Sequence, residues 1–114
     1  MADTRLSRAL HAMFEQPAVA YTVDSLALIA GMSRSAFASA FRRTFGQSPM
    51  SLVKLVRLRR AGEILITTTL PVAEVAKRVG FSSRSNFSVA FTELHGMDPS
   101  GFRRTFSVTA ERRA

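Results

Sequence analysis

The chain has 114 residues, 46% of them hydrophobic, with no cysteine and a formal net charge of +8. That length fits one compact domain with its own core, and the missing cysteine excludes disulfides, thiolate metal sites and a thiol nucleophile and suits a reducing cytoplasm. No stretch reaches the roughly 18 apolar residues of a membrane span, and the basic excess points to an anionic partner, nucleic acid before acidic membrane.

In chain order, the first predicted helix runs near Thr4 to Glu15, with Leu6, Leu10, Met13 and Phe14 facing one way. Asp3, Arg5, Arg8 and His11 interrupt its apolar pattern, so it is no signal peptide. Thr22 then caps a short helix, and Asp24 favours the positive end of its dipole. Leu26, Ala27, Ile29 and Ala30 form its apolar face, and Gly31 stops it in a left-handed conformation that glycine adopts cheaply. Ser33 caps the next helix, whose Phe37, Ala40, Phe41 and Thr44-Phe45 recur at helical spacing up to Gly46.

Ser48-Pro49 opens a long connector, with Leu52, Val53, Leu55, Val56, Ala61, Ile64 and Leu65 as its stripe and Thr67-Thr68-Thr69 at its end. About 17 residues at 1.5 Å each span roughly 25 Å, enough to hold two reading helices nearly one DNA turn, about 34 Å, apart. Pro71 begins another short helix with Val72, Val75, Ala76 and Val79 inside, and Gly80 turns it. Ser82 or Ser83 caps a further helix with Phe87, Ala90, Phe91 and Leu94 inward. A last helix starts at Asp98-Pro99 and braces the core with Phe102 and Phe106.

Residues 23–49 and 72–99 are two copies of one unit. With Ser83 taken as a one-residue insertion, Val23 matches Val72, Ala27 Ala76, Gly31 Gly80, Ser33 Ser82, Arg34 Arg84, Ser35 Ser85 and Phe37 Phe87. Ala40 matches Ala90, Phe41 Phe91, Gly46 Gly96 and Pro49 Pro99. The shared residues are mostly small, apolar, Gly or Pro, as a common backbone requires. A short helix, a glycine turn and a second helix make a helix-turn-helix. The organisation expected is therefore a single all-α domain over residues 1–114, with helix-turn-helix subdomains near 22–46 and 71–96 and a linker helix near 49–66.

The segments LALIAGMSRSAFASAFRRTFG, PVAEVAKRVGFSSRSNFSVAF and HGMDPSGFRR carry a family likeness. Over roughly Leu6 to Phe106 the chain resembles the AraC/XylS family of bacterial transcription regulators. The resemblance implies about seven helices, sequence-specific binding to double-stranded promoter DNA and, usually, activation of transcription, with RNA polymerase as a further partner. Many members carry a sensor domain on the N-terminal side, so this chain is either a stand-alone regulator or part of a longer one. The family often has a long polar or basic side chain where this chain has Ser39 and Val89.

If Phe37, Ala40 and Phe41 face inward, Ser35, Ala36, Ala38, Ser39 and Arg42 face away; in the second unit Ser85, Asn86, Ser88, Val89 and Thr92 do. Base contacts are accordingly expected from Ser35, Ala36, Ala38, Ser39, Ser85, Asn86, Ser88 and Val89. Asn86 can bond adenine N6 and N7 together, and Val89 and Ala38 can pack on thymine methyls. Phosphate contacts are expected from Ser33, Arg34, Arg42, Arg43, Arg57, Arg84 and Thr92, which position the protein without reading sequence. Arg59 or Arg60 is as well placed to pair with Glu63 one turn on. Arg42-Arg43 in the first unit corresponds to Thr92-Glu93 in the second, so the first unit should supply more of the electrostatic affinity.

Nothing in the chain points to catalysis. His11 and His95 lack an accompanying carboxylate and hydroxyl, the serines read as helix caps, and the glycines fall at helix ends rather than in a phosphate-binding loop. No cofactor, metal or small-molecule site is expected, and a cytoplasmic, nucleoid-associated location follows from the reading. Two rivals stay open: a helical module docking RNA polymerase or another protein, and the DNA-binding part of a recombinase or transposase.

Overall fold

The computed structural model describes residues 3–108, and among these it contains seven α-helices and no strand. The helices are α1 (Thr4–Glu15), α2 (Val23–Ala30), α3 (Arg34–Phe45), α4 (Pro49–Thr67), α5 (Val72–Arg78), α6 (Arg84–His95) and α7 (Pro99–Phe106). They form two compact units that divide within α4, between Val56 and Arg57.

The first unit is built on α1 to α3 and the start of α4. Asp3 caps α1, its carboxylate accepting the Arg5 N–H at 2.8 Å, and the Arg5 side chain beside it holds that carboxyl below its usual range. At the other end of α1 the Tyr21 hydroxyl lies within donating reach of the Ala12 and Gln16 carbonyls, at 2.7 and 2.9 Å. The hydroxyl joins the backbone N–H groups of Gln16 and Val19, which also donate to these two carbonyls. The core joins Leu6, Ala9 and Met13 of α1 to Leu26, Ala27 and Ala30 of α2, Phe37 and Phe41 of α3, and Val53 of α4.

The second unit repeats the scheme. Leu58, Ala61 and Leu65 of α4 pack with Val75, Ala76 and Val79 around α5 and with Phe87, Ala90 and Phe91 of α6. Phe102 of α7 stands edge-on to Phe91 at 5.2 Å, and the His95 ring stacks against Phe91 at 4.1 Å with Nε2 3.3 Å from the Leu58 carbonyl. His95 is thus a core and helix-end residue. Three side chains donate to carbonyls near the end of α4: Thr67 to Glu63, Thr68 to Ile64, and Arg103 Nε to Leu65 at 2.9 Å.

Several inward assignments are corrected. Phe14, Ile29, Leu94 and Phe106 are exposed rather than packed, Phe14 by 60%. Leu58, absent from the expected stripe of α4, is buried. Apolar periodicity identifies a helix face, but it does not say how far along the helix a neighbour covers it.

Candidate nucleic-acid interface

Each unit presents its second helix through the same turn. In the first, the Gly31 N–H donates to the Leu28 carbonyl and the Met32 N–H to Ala27, both at 3.0 Å. In the second, Gly80 donates to Lys77 and Phe81 to Ala76, again at 3.0 Å. This paired closure needs a left-handed residue at its centre, and both glycines have it, at φ 72° and 98°. Ala27 and Ala76, a matched pair of the repeat, are both buried at these turns.

The bond pattern also corrects the repeat register. Met32 and Phe81 occupy equivalent places, so the extra residue of the second unit is Ser82, and Ser33 corresponds to Ser83. Ser33 accepts the Ala36 N–H and Ser83 the Asn86 N–H, each at 3.2 Å. Removing the Ser83 cap should cost about 1 kcal/mol, whereas Ser82→Ala should cost almost nothing. Urea unfolding of both variants checks the register, and equal losses would refute it.

Phe37 and Phe41 of α3 and Phe87 and Phe91 of α6 are fully buried. At about 100° per residue, Ser39 and Val89 then point most directly away from the core. Ser35, Ala36, Ser39, Arg42 and Arg43 are exposed on α3, as are Ser85, Asn86, Val89, Thr92 and Glu93 on α6; Ala38 and Ser88 are half-buried. Each helix therefore gathers its expected base-reading residues along one outward stripe, with Ala38 and Ser88 at its margin.

Local bonds modify the expected phosphate set. Arg34 lies 3.8 Å from Asp24 of α2, both side chains well exposed, so this is a weak surface pair. Arg84 has no such acid, because Ala73 stands where the first unit has Asp24. Arg43 Nη1 donates to Ser39 Oγ at 2.6 Å, and Thr92 Oγ1 donates to the Ser88 carbonyl at 2.7 Å. Ser33 is exposed at the head of α3, Arg42 is exposed, and Arg57 is half-buried. Arg60, not Arg59, is the residue beside Glu63, at 3.9 Å, and Arg78 bonds Glu74 at 3.3 Å. Sequence reasoning missed the Ser39–Arg43 bond, although their four-residue spacing was the available signal. It also missed Arg103, which no spacing links to Leu65.

Residues 26–105 match the family described as a helix-turn-helix domain, and the chain belongs to that family. Within it the chain is of the AraC/XylS type, a DNA-binding helix-turn-helix domain of transcription regulators. It is 40% identical over 99 residues to the RCS-specific HTH-type transcriptional activator RclR of Escherichia coli, covering 87% of this chain and 35% of the relative. The chain spans about a third of the length of the curated relatives it matches. The DNA-binding domain of AdpA, solved in complex with a target DNA, superimposes with a TM-score of 0.84 at 29% identity, covering 90% of this chain and 92% of that one. An AraC-type regulator from Chromobacterium violaceum has the same fold, with a TM-score of 0.86 at 24% identity over 92% of this chain and 94% of its own.

Proposed function

We propose that this chain binds promoter DNA sequence-specifically as part of a transcription regulator, each unit laying its second helix in the major groove. The observation that carries the reading is the pair of outward stripes on α3 and α6, both delivered by the same glycine turn and rich in Ser, Asn and Arg. Short side chains let a helix backbone sit close to base edges, while Arg34, Arg42 and Arg84 reach phosphates. The AdpA domain, of the same fold, is known with its target DNA. Ser35, Ala36, Ala38, Ser39, Ser85, Asn86, Ser88 and Val89 are the base-facing set; Ser33, Arg57 and Thr92 complete the phosphate set.

On this reading the chain is not an enzyme, it works on the nucleoid in the cytoplasm, and activation adds RNA polymerase as a partner. No helix among the described residues is long and apolar enough to cross a membrane. Selection of bound duplexes from a random pool, followed by titration at several salt concentrations, tests the proposal. A defined motif is expected, with affinity falling by about 10³-fold or more between roughly 50 and 200 mM salt if six or so phosphates are contacted. Absence of binding to any duplex at low salt would overturn it and favour the protein-docking rival.

A further inference from the structure

We propose that Arg43 reads a guanine, held in place by Ser39, and that the two units therefore take chemically unlike half-sites. The inference rests on the DNA-binding reading and deepens it. In the corrected register, positions 39 and 43 of α3 correspond to 89 and 93 of α6. The first unit places a hydroxyl and a guanidinium there; the second places an isopropyl group and a carboxylate.

Long side chains on a helix lean toward its N-terminus. Arg43 does so, and its Nη1 donates to Ser39 Oγ at 2.6 Å. That bond ties the guanidinium over the residue farthest from the core, rather than leaving it at the C-terminal end of α3 beside Arg42. No carboxylate pairs with Arg43 among the described residues, and four of its five N–H groups remain to donate. A planar fork held over the outward stripe matches guanine O6 and N7, which are both acceptors. Tethering by Ser39 reduces the rotamer freedom lost on binding. Ser39, too short to read a base strongly itself, acts as a positioning residue.

The second unit has the opposite chemistry at these places. Glu93 is an exposed carboxylate and is repelled by guanine's acceptor edge, and Val89 is 60% exposed with only methyl groups to offer. One turn back, Asn86 is exposed, and its side-chain amide makes no bond among the described residues. An amide pairs with adenine and a methyl packs on thymine. The second unit thus selects A·T pairs, and the first selects a G·C pair.

The test is selection from random duplexes at one fixed salt concentration with the wild-type chain, Arg43→Lys, Ser39→Ala and Ser39→Thr. The wild type is expected to enrich one guanine in one half of its site and A·T pairs in the other. Arg43→Lys keeps the charge but loses the fork, so preference for that guanine should fall about tenfold. Ser39→Ala should lower the same preference a few-fold, and Ser39→Thr, which keeps the hydroxyl, should lower it less. An unchanged guanine preference in Arg43→Lys would mark Arg43 as a phosphate contact and overturn the inference. So would a wild-type motif with no guanine in either half. Failure of the wild type to bind any duplex would instead overturn the DNA-binding reading beneath it.

Discussion

Phe91→Ala is expected to cost about 3–5 kcal/mol of stability, the range for truncating a fully buried aromatic ring. The ring is 0% exposed and meets Phe87 at 5.6 Å, Phe102 at 5.2 Å and His95 at 4.1 Å, so three other rings border the cavity it would leave. Their positions are linked to the backbone, because His95 reaches the Leu58 carbonyl and Arg103, in α7 beside Phe102, bonds the Leu65 carbonyl. The cavity therefore has little means of closing by collapse. Against a total stability of about 5–15 kcal/mol for such chains, the loss is a large fraction. Urea titration followed by circular dichroism measures it, with Phe106→Ala as the comparison. Phe106 is 46% exposed, and its truncation should cost under about 1 kcal/mol. Similar losses for both variants would show that α6 is not the core of the second unit.

Arg42→Glu is expected to weaken DNA binding on the order of tenfold or more at low salt, and to reduce the slope of log affinity against log salt by about one. Arg42 is exposed near the end of α3 and has no ion pair among the described residues, so its charge is available to a phosphate. Reversal removes that contact and adds a repulsion. Lys77→Glu, in the short α5 of the other unit, should do less on both measures. The ranking follows from charge: Arg42-Arg43 stands where the second unit has Thr92-Glu93. Because a cation near a helix C-terminus also stabilises the helix by about 0.3–1 kcal/mol, the unfolding midpoint of Arg42→Glu must be measured alongside its affinity. Equal losses from the two reversals would refute the ranking.

Much of this arrangement is legible in the residues, and for identifiable reasons. The duplicated pattern of Gly31 with Gly80 and of Phe37-Phe41 with Phe87-Phe91 reports backbone needs that only a few residue types meet, so the turns and the inward faces of α3 and α6 follow from it. Outward candidates such as Ser35, Asn86 and Val89 then emerge by elimination, and all three are exposed. Features that depend on neighbours distant in sequence do not emerge. Leu94 has the spacing of a core residue yet lies open, while Arg103 belongs by composition to the surface yet reaches the Leu65 carbonyl 38 residues away. Spacing does not choose between Ser82 and Ser83, because both can cap; the Asn86 N–H donating to Ser83 Oγ decides it. The Ser39–Arg43 bond is a rotamer outcome, and spacing permits it without requiring it.

The supernumerary Ser82 shows where this fold stores its slack. It lengthens one connection between helices, yet α6 still begins with an Arg after a capping Ser and ends at a left-handed glycine twelve residues on, as α3 does. The same single residue placed inside α6 would turn everything beyond it by about 100°, carrying Phe91 toward water and a polar neighbour into its place. Length drift between the copies is thus tolerated where chain merely links, and is forbidden where angular phase decides which side chains meet the outside world.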